Sequence, residues 1–449
     1  MIKDLTEGKP ESVLWRFSIP LFISVIFQQM YNISDSVIAG KFAGENALAA
    51  IGASFPITMI FMSIAVGSNV GCSVVISQLF GAKKLKDMKT AIFTTLISCV
   101  VLSVVLTIIG LWQTQSLMRL INTPNNIFLD GAIYLKIYIA GFIFIYLYNV
   151  CTGIFASLGD SKTPLYFLIG SSLANIMLAY LFVAKFHWGV AGTGWATFIA
   201  QGLACVLCAI SLFHRVKAIK TDGKIVLFSV DMLKKVSWVA IPSILQQSFV
   251  SVGNIFVQVL INGFGSSVIA GYSAAIKMNT FAITSFATLA NGLSSFTAQN
   301  IGAGKIDRVK RGFRAGIIQS IIVAVPFVVA YVFFGSSMIK LFLNEDSAVA
   351  LNIGVVFLKI ISPFYFVILI KLMADGVLRG SGSMKLFMIT TFSDLIIRVL
   401  LAFALVGPMG TNGIWLSWPI GWSIGAVLSY SFYRTGKWKR QIQIIESPI

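Results

Sequence analysis

Charged and catalytic side chains are scarce in this sequence. Asp, Glu, Lys and Arg make up 11% of its 449 residues, and only 16 residues are acidic, whereas a soluble domain carries about 25% charged residues. The two histidines, His187 and His214, lie apart in the chain, and no Ser-His-Asp set, metal-ligand spacing or glycine-rich phosphate loop occurs. These shortages argue against a soluble enzyme and against a disordered chain.

The few cysteines offer neither a disulfide framework nor a metal site. All five lie inside apolar stretches, at Cys72, Cys99, Cys151, Cys205 and Cys208. Cys205 and Cys208 form a CxxC, but no second pair and no nearby histidine accompany it, so apolar packing is the better interpretation. We therefore expect no metal and no cofactor.

What the sequence has in abundance is long apolar runs, since 57% of the residues are hydrophobic. A transmembrane helix needs about 20 such residues, and backbone groups in lipid must pair within the segment, so these runs are helices. The sequence predicts an all-α polytopic membrane protein with twelve spans, near 13–40, 46–79, 90–113, 126–157, 164–185, 190–213, 235–262, 267–300, 311–334, 347–378, 385–407 and 413–433.

The basic residues cluster on one side of these spans and so predict the orientation. Of the 34 Lys and Arg residues, 25 flank the N-terminus, the even-to-odd loops or the C-terminus, and four flank the opposite loops. The positive-inside rule then places both termini and the 214–234 linker on the cytoplasmic side of a bacterial inner membrane. The net charge of +18 is thus topological. It suits anionic lipid head groups and calls for no nucleic-acid partner.

The two halves of the chain repeat each other at an offset of 221 to 223 residues. Ile19-Pro20 recurs as Ile241-Pro242, and Gly192 recurs as Gly413; Gln78-Leu79-Phe80-Gly81-Ala82 recurs as Gln299-Asn300-Ile301-Gly302-Ala303. Six helices separate equivalent points, so both halves have the same orientation, which is a transporter architecture. We predict two pseudo-symmetric six-helix lobes, 1–213 and 235–449, that rock about a central substrate path.

One acid lies deep in the first half. Gln28, Asn32 and Asp35 share one helical stripe, and an ionisable residue inside a membrane indicates function by default. We expect Gln28 and Asn32 to line the substrate cavity, together with Asn149 and the aromatic ring of Tyr134. Pro20 precedes Asp35 on the same helix, and a bend there would act in gating.

The order and spacing of several motifs resemble the multidrug and toxic compound extrusion family over nearly the whole chain. The pieces are Ile19-Pro20, Gln28-Gln29, Asp35 to Gly40, Ala49 to Gly52, the GAKK and GAGK turns, Gly159 to Pro164, and Val377 to Gly380. The chain looks most like the bacterial damage-inducible (DinF-like) branch. The resemblance implies export of drug-like, often cationic molecules, driven by inward proton or sodium flow.

The resemblance also implies roles for three residues. Asp35 matches the ion-coupling carboxylate of the family, and Asn175 and Thr197 match positions that surround it. Relatives commonly carry a second acid in the fifth helix, four residues after the asparagine, where this chain has Ala179. Sodium needs several well-placed oxygens, so this departure favours the proton as the coupling ion and leaves sodium as the alternative.

The second half carries cations at membrane depth instead. They are Lys277, Lys371 and Arg398, with Asp394 one turn before Arg398, so that these two can pair at i, i+4. Snorkelling to the interface and ion pairs inside the bundle are both open interpretations, as is a contact of Lys371 with anionic substrate groups.

The sequence thus predicts a monomeric antiporter for small organic, cationic or amphipathic molecules, which also contacts membrane lipids. The alternative is a lipid-linked precursor flippase of the same superfamily, which usually has extra spans or a cation-rich central groove. A membrane scaffold without transport is a further alternative, against which the buried acid and the repeat argue.

Overall fold

The computed structural model describes residues 3–121, 123–343 and 348–440 of the chain, and within them the secondary structure is helical, with no strand. The first half contains α1 (Pro10–Ile38), α2 (Glu45–Gly81), α3 (Leu85–Leu120), α4 (Asn125–Ala140), α5 (Phe142–Ser157), α6 (Lys162–Ala179) and α7 (Gly189–Ala218). π-Helical turns, Ala39–Ala43 and Tyr180–Lys185, extend α1 and α6.

The first helix of the second half is α8. It contains α8 (Val230–Asn262), α9 (Ser266–Gly302), α10 (Ile306–Phe333), α11 (Gly335–Lys340), α12 (Ala348–Ile361), α13 (Tyr365–Gly380), α14 (Met384–Met409) and α15 (Thr411–Thr435). Short 3₁₀ turns, Ser362–Phe364 and Lys437–Arg440, follow α12 and α15.

The predicted membrane class is confirmed. Nine helical segments of the described chain are long and apolar enough to cross a membrane, and α4 with α5, bent by 45°, form a tenth. The two remaining predicted spans are α9 and α15, which are long helices of lower hydropathy. Their polar, glycine and tryptophan residues are largely buried inside the protein, where a lipid-like surface is not needed. The twelve predicted spans therefore each correspond to a helical segment.

The two longest helices begin and end alike, as the internal repeat predicts. α2 and α9 each have 37 residues. Gly44 precedes α2 at φ 90°, ψ 174°, and Gly265 precedes α9 at φ 89°, ψ 173°. This backbone conformation is open to glycine and strained for other residues. The repeat thus extends from the sequence to the backbone of both turns.

The chain divides into two compact units inside its long helices. Unit 1 contains Ile19–Ser248 together with the described N-terminal residues up to Asp4, and unit 2 contains Leu5–Ser18 and the described chain from Phe249 onward. The first part of α1 thus belongs to unit 2, and the first part of α8 to unit 1. The predicted lobes with a linker at 214–234 stay a prediction, because the compact units divide elsewhere.

Unit 2 has an aromatic core in which side chains of α9, α12 and α15 pack together. Tyr272 of α9 stacks on Trp415 of α15 with ring centroids 5.3 Å apart, and Phe357 of α12 meets Trp415 edge to face at 5.0 Å. All three side chains are buried. Such pairs add to the free energy of burial because their ring quadrupoles are complementary. They fix α15 against α9 and α12.

Candidate functional site

In unit 1, Asp35 lies one turn before the end of α1 and is half-buried. Its Oδ1 atom is buried and has no hydrogen-bond partner among the described residues. Thr197 of α7 interacts with the same carboxylate. An ionised carboxylate that is withdrawn from water and only partly paired is costly, so this group is suited to taking up a proton or a cation.

Thr197 joins three helices beside this acid. Its Oγ1 accepts a hydrogen bond from Asn175 Nδ2 of α6 at 3.1 Å and lies 3.4 Å from the hydroxyl of Tyr31 on α1. The Oδ1 of Asn175 is buried without a partner in the described chain. The structure therefore brings Asp35, Asn175 and Thr197 together, as the resemblance implies, while their role in coupling stays a prediction.

A small crevice reaches Thr197 between α4, α5 and α7. It is lined by Tyr134, Ile137, Tyr138, Gly141, Ile145, Gly194, Thr197 and Phe198. The rings of Tyr134 and Tyr138 stack with centroids 6.4 Å apart. Tyr134, predicted to line a cavity, thus lies at a crevice that Thr197 shares.

Three other predicted residues lie apart from these contacts. Asn32 donates from Nδ2 to Gln29 Oε1 at 3.2 Å on its own helix, and Gln28 is exposed. Asn149 donates from Nδ2 to the backbone carbonyl of Ile145 at 2.8 Å. Its side-chain NH₂ group therefore bonds within its own helix, α5. Their place in a substrate cavity stays a prediction.

Pro20 is buried in α1, and the helix continues through it. Its backbone carbonyl accepts a hydrogen bond from Ser24 Oγ, one turn later, at 2.9 Å. The predicted gating bend at this residue stays a prediction.

The sequence reasoning missed Tyr31 and Tyr138. Tyr31 precedes Asp35 by four residues and Tyr138 follows Tyr134 by four, so helical spacing places each on the face of a residue that was chosen. Helical spacing from Asp35 and Tyr134 was therefore the signal that could have identified both residues.

Unit 2 contains a buried ionic cluster on α13, α14 and α15. Lys371 Nζ lies 2.9 Å from Asp375 Oδ2 and 3.6 Å from Asp394 Oδ2. Asp375 Oδ1 accepts hydrogen bonds from Thr390 Oγ1 at 3.0 Å and Ser429 Oγ at 2.6 Å. Lys371 therefore pairs inside the bundle and does not snorkel, while its contact with anionic substrate groups stays a prediction.

Arg398 has different neighbours from those its spacing suggests. Its Nη2 donates to Asn254 Oδ1 at 3.3 Å, and its guanidinium carbon lies 4.3 Å from the ring centroid of Trp418. The cation within 4 Å of Asp394 is Lys371, because Asp394 faces α13 and the Arg398 guanidinium turns to α8 and α15. Lys277 is exposed, with its Nζ 5.8 Å from the ring centroid of Phe342.

Comparisons with known proteins place the chain in a family. The MatE family model matches twice, over residues 20–181 and 242–404. The probable multidrug resistance protein YpnP of Bacillus subtilis is 28% identical over 443 residues, with 97% of each chain covered. The probable multidrug resistance protein NorM of Thermotoga maritima is 21% identical, with 95% of this chain and 93% of that protein covered.

Solved structures agree on the fold. A MATE transporter in the straight conformation has a TM-score of 0.89 at 23% identity and covers 99% of both chains. A MOP superfamily transporter from Pyrococcus furiosus, with a binding pocket of reverse polarity, has a TM-score of 0.90 at 24% identity and covers 99% and 98% of the two chains. Because the family model covers more than half of the chain, this protein belongs to the MatE family and is a transporter rather than an enzyme.

Proposed function

We propose that this transporter exports small organic molecules, many of them cationic or amphipathic, and that inward proton flow through Asp35 drives the export. The observation that carries the proposal is the buried, unpartnered Oδ1 of Asp35 beside Thr197. Relatives named as multidrug resistance proteins match along nearly the full length of the chain and support the substrate class.

The neighbours of Asp35 suit a group that gains and loses a proton. Thr197 Oγ1 accepts from Asn175 Nδ2, which leaves its hydroxyl hydrogen free to be donated to the ionised carboxylate. Protonation removes the charge and the need for that bond. In this mechanism Asp35 is protonated from the outside, and the proton leaves on the cytoplasmic side after the substrate has been expelled.

Sodium is the alternative coupling ion because Asp35 Oδ1 and Asn175 Oδ1 are both unpartnered oxygens. Against it stands Ala179, the position of the usual second acid. Its methyl group is buried in an apolar cluster with Ile38, Phe182, Val183 and Ala196. One carboxylate and neutral oxygens form a weak sodium site, so the proton is favoured.

The finer features of the mechanism belong to the same proposal. The protein works as a monomer in the bacterial inner membrane with both termini in the cytoplasm, and it belongs to the damage-inducible branch of the family. Its two lobes alternate in access, and a bend of α1 at Pro20 links protonation of Asp35 to the expulsion of substrate.

The test uses purified protein in liposomes with one gradient imposed at a time. A proton gradient should drive efflux of a cationic dye such as ethidium, and Asp35→Asn should abolish the driven efflux while dye binding persists. Asp130→Asn is the matched control, since Asp130 also lies in a helix of unit 1, on α4, and is not part of the proposed site.

Two results would contradict the proposal in different ways. Efflux driven by a sodium gradient at equal pH, with no response to a proton gradient, would make sodium the coupling ion. Movement of a lipid-linked precursor across the bilayer, without any dye efflux, would favour the flippase alternative.

A further inference from the structure

The internal repeat relates the Asp35 site in unit 1 to a set of residues in unit 2. Ile19-Pro20 and Ile241-Pro242 set the offset of α1 and α8 at 222, which pairs Asn32 with Asn254 and Asp35 with Val257. The starts of the two family matches, residues 20 and 242, have the same spacing. On α8, therefore, the position of the acid is taken by an apolar residue.

The partners of Asp35 change to a cation and an aromatic ring. Gly159 and Gly382, followed by Lys162 and Lys385, set the offset of α6 and α14 at 223, which pairs Asn175 with Arg398. Gly192 and Gly413 set the offset between α7 and α15 at 221, which pairs Thr197 with Trp418.

The contacts in the two units follow the same pairing. Asn175 contacts Thr197 in unit 1, and Arg398 stacks on Trp418 in unit 2. The site that is acidic in unit 1 is thus basic in unit 2.

Arg398 is only partly compensated where it lies. It is 4% exposed, and its contacts are the neutral amide of Asn254 and the face of Trp418. Its Nε and the Nε1 of Trp418 are buried donors without an acceptor among the described residues. A buried guanidinium ordinarily has a carboxylate or another anion as its partner.

The nearby charges leave one positive charge in excess. The buried cluster contains the cations Lys371, Arg379 and Arg398 and the acids Asp375 and Asp394. Both acids contact Lys371, while Arg379 donates to the neutral Asn291. The negative charge of Asp394 acts on Arg398. Because the three cations outnumber the two acids, a bound anion would balance the charge of the cluster.

Asn254 gives this cation a route to a ligand. Its side chain is exposed, and its Oδ1 holds Arg398 Nη2 by a long bond of 3.3 Å. A carboxylate or phosphate oxygen makes a shorter and stronger bond to a guanidinium than an amide oxygen does. Such an oxygen can displace the amide from Arg398.

We propose that Arg398, Asn254 and Trp418 form a binding site in unit 2 for the carboxylate or phosphate of a small organic cargo molecule. The proposal rests on the transport function only in taking the ligand to be cargo. Binding is measured without any ion gradient, so a failure of this proposal is distinguishable from a failure of coupling through Asp35.

The first experiment compares two ligands that differ by one phosphate. Flavin mononucleotide and riboflavin are titrated, by quenching of flavin fluorescence, against the full-length protein in phosphatidylcholine nanodiscs. We expect flavin mononucleotide to bind about 10-fold more tightly or better, as a charge-assisted bond to Arg398 would give. Equal affinities for the two flavins would overturn the proposal.

The second experiment blocks the site from within. Asn254→Asp places a carboxylate where the amide now meets Arg398, so flavin mononucleotide should lose its advantage while riboflavin binding is kept and the melting temperature rises. Asn262→Asp adds the same charge two turns further along α8, where Gln258 Nε2 donates to residue 262 at 2.8 Å, and should keep the preference. Unchanged binding by the Asn254→Asp protein would contradict the site.

Arg398→Gln should likewise remove the preference for flavin mononucleotide. If the Arg398→Gln protein kept that preference, the result would contradict the site.

A last comparison separates cargo from lipid. If the anionic group is that of a soluble cargo, replacing phosphatidylcholine by phosphatidylglycerol leaves the flavin preference unchanged. If phosphatidylglycerol suppresses binding of flavin mononucleotide alone, the site takes a lipid headgroup and the assignment to cargo is wrong.

Discussion

In unit 1, the helices α1, α6 and α7 bring one acid, Asp35, to neutral Asn175 and Thr197. In unit 2, the corresponding helices α8, α14 and α15 contribute Asp394 and Arg398, and α13 adds Lys371 and Asp375. An acid without an ion pair can change protonation at little structural cost. A carboxylate inside an ion-pair cluster cannot do so without leaving a buried cation uncompensated. Depth in the membrane alone therefore does not identify a coupling residue.

The strongest test of this contrast is Lys371→Met, a change of similar length that removes the cation. Two buried carboxylates, Asp375 and Asp394, then lose their shared partner. We expect a loss of about 3–5 kcal/mol in the free energy of unfolding, the usual cost of breaking a buried pair. The measurement is thermal unfolding in detergent, together with the yield of folded protein.

Asp35→Asn is the matched change in unit 1 and should leave the melting temperature unchanged or slightly higher, because it removes a buried charge that lacks an ion pair. Whatever Lys371→Met protein folds should still respond to the ion gradient. A stable Lys371→Met protein without any export would instead place the coupling chemistry in unit 2.

A glycine on α15 makes room for the ionic cluster, which gives a second test. A Cβ at Gly425 would lie 2.7 Å from Lys371 Cε and 3.1 Å from Asp394 Cβ. At the offset of 221, unit 1 has Ala204 at this position, and its side chain is buried. Gly425→Ala should cost about 1–3 kcal/mol by overpacking, seen as a lower melting temperature.

Gly407→Ala is the control in the same unit. Gly407 lies in α14, and a Cβ there would meet nothing within 4 Å, so alanine should stabilise the helix by about 1 kcal/mol. If both variants lost the same stability, the ionic cluster would not be what limits the size of residue 425.

Much of the fold was predictable because hydrophobic length and the repeat determine it. Runs of about 20 apolar residues allow only helices in lipid, and the predicted repeat is visible in the matching backbone of Gly44 and Gly265. The division of the units inside α1 and α8 was not predictable. It depends on which surfaces each half of a long helix contacts, and a hydropathy pattern carries no such information.

The site was predictable in part. The rarity of acids in apolar runs pointed to Asp35, and the resemblance pointed to Asn175 and Thr197. The partner of Asp394 was not predictable, since the spacing to Arg398 suggested a pair along one helix, whereas Lys371 reaches it from α13. Spacing within a helix gives its faces, but not which neighbouring helix supplies the closer charge.

The smallest expected difference concerns Asp160, at the start of α6, and its counterpart Ser383 at the start of α14. Asp160 accepts from the Thr163 N–H at 3.1 Å and from Thr163 Oγ1 at 2.8 Å, and Arg215 lies 3.6 Å away. Ser383 Oγ takes part in one bond, with Ser381 Oγ at 2.9 Å. Asp160→Ala should therefore cost about 1–2 kcal/mol at neutral pH, and Ser383→Ala less, as melting temperatures in detergent would show.

The pH dependence of that loss separates Asp160 from the coupling acid. Burial raises the pKa of Asp160, but the interactions that favour its charged form, chiefly the hydrogen bonds from Thr163, hold the pKa below its ordinary value. A lowered pKa means that the stabilising interactions are fully present above the unfolded value of about 3.9 and disappear as the pH falls through the folded value. The difference in melting temperature between the native protein and Asp160→Ala should thus be constant from pH 6 to 8 and shrink only below about pH 4. A difference that changed between pH 6 and 8 would mean that Asp160 titrates in the range where the proposed coupling operates, and the pH response of export would no longer point to Asp35 alone.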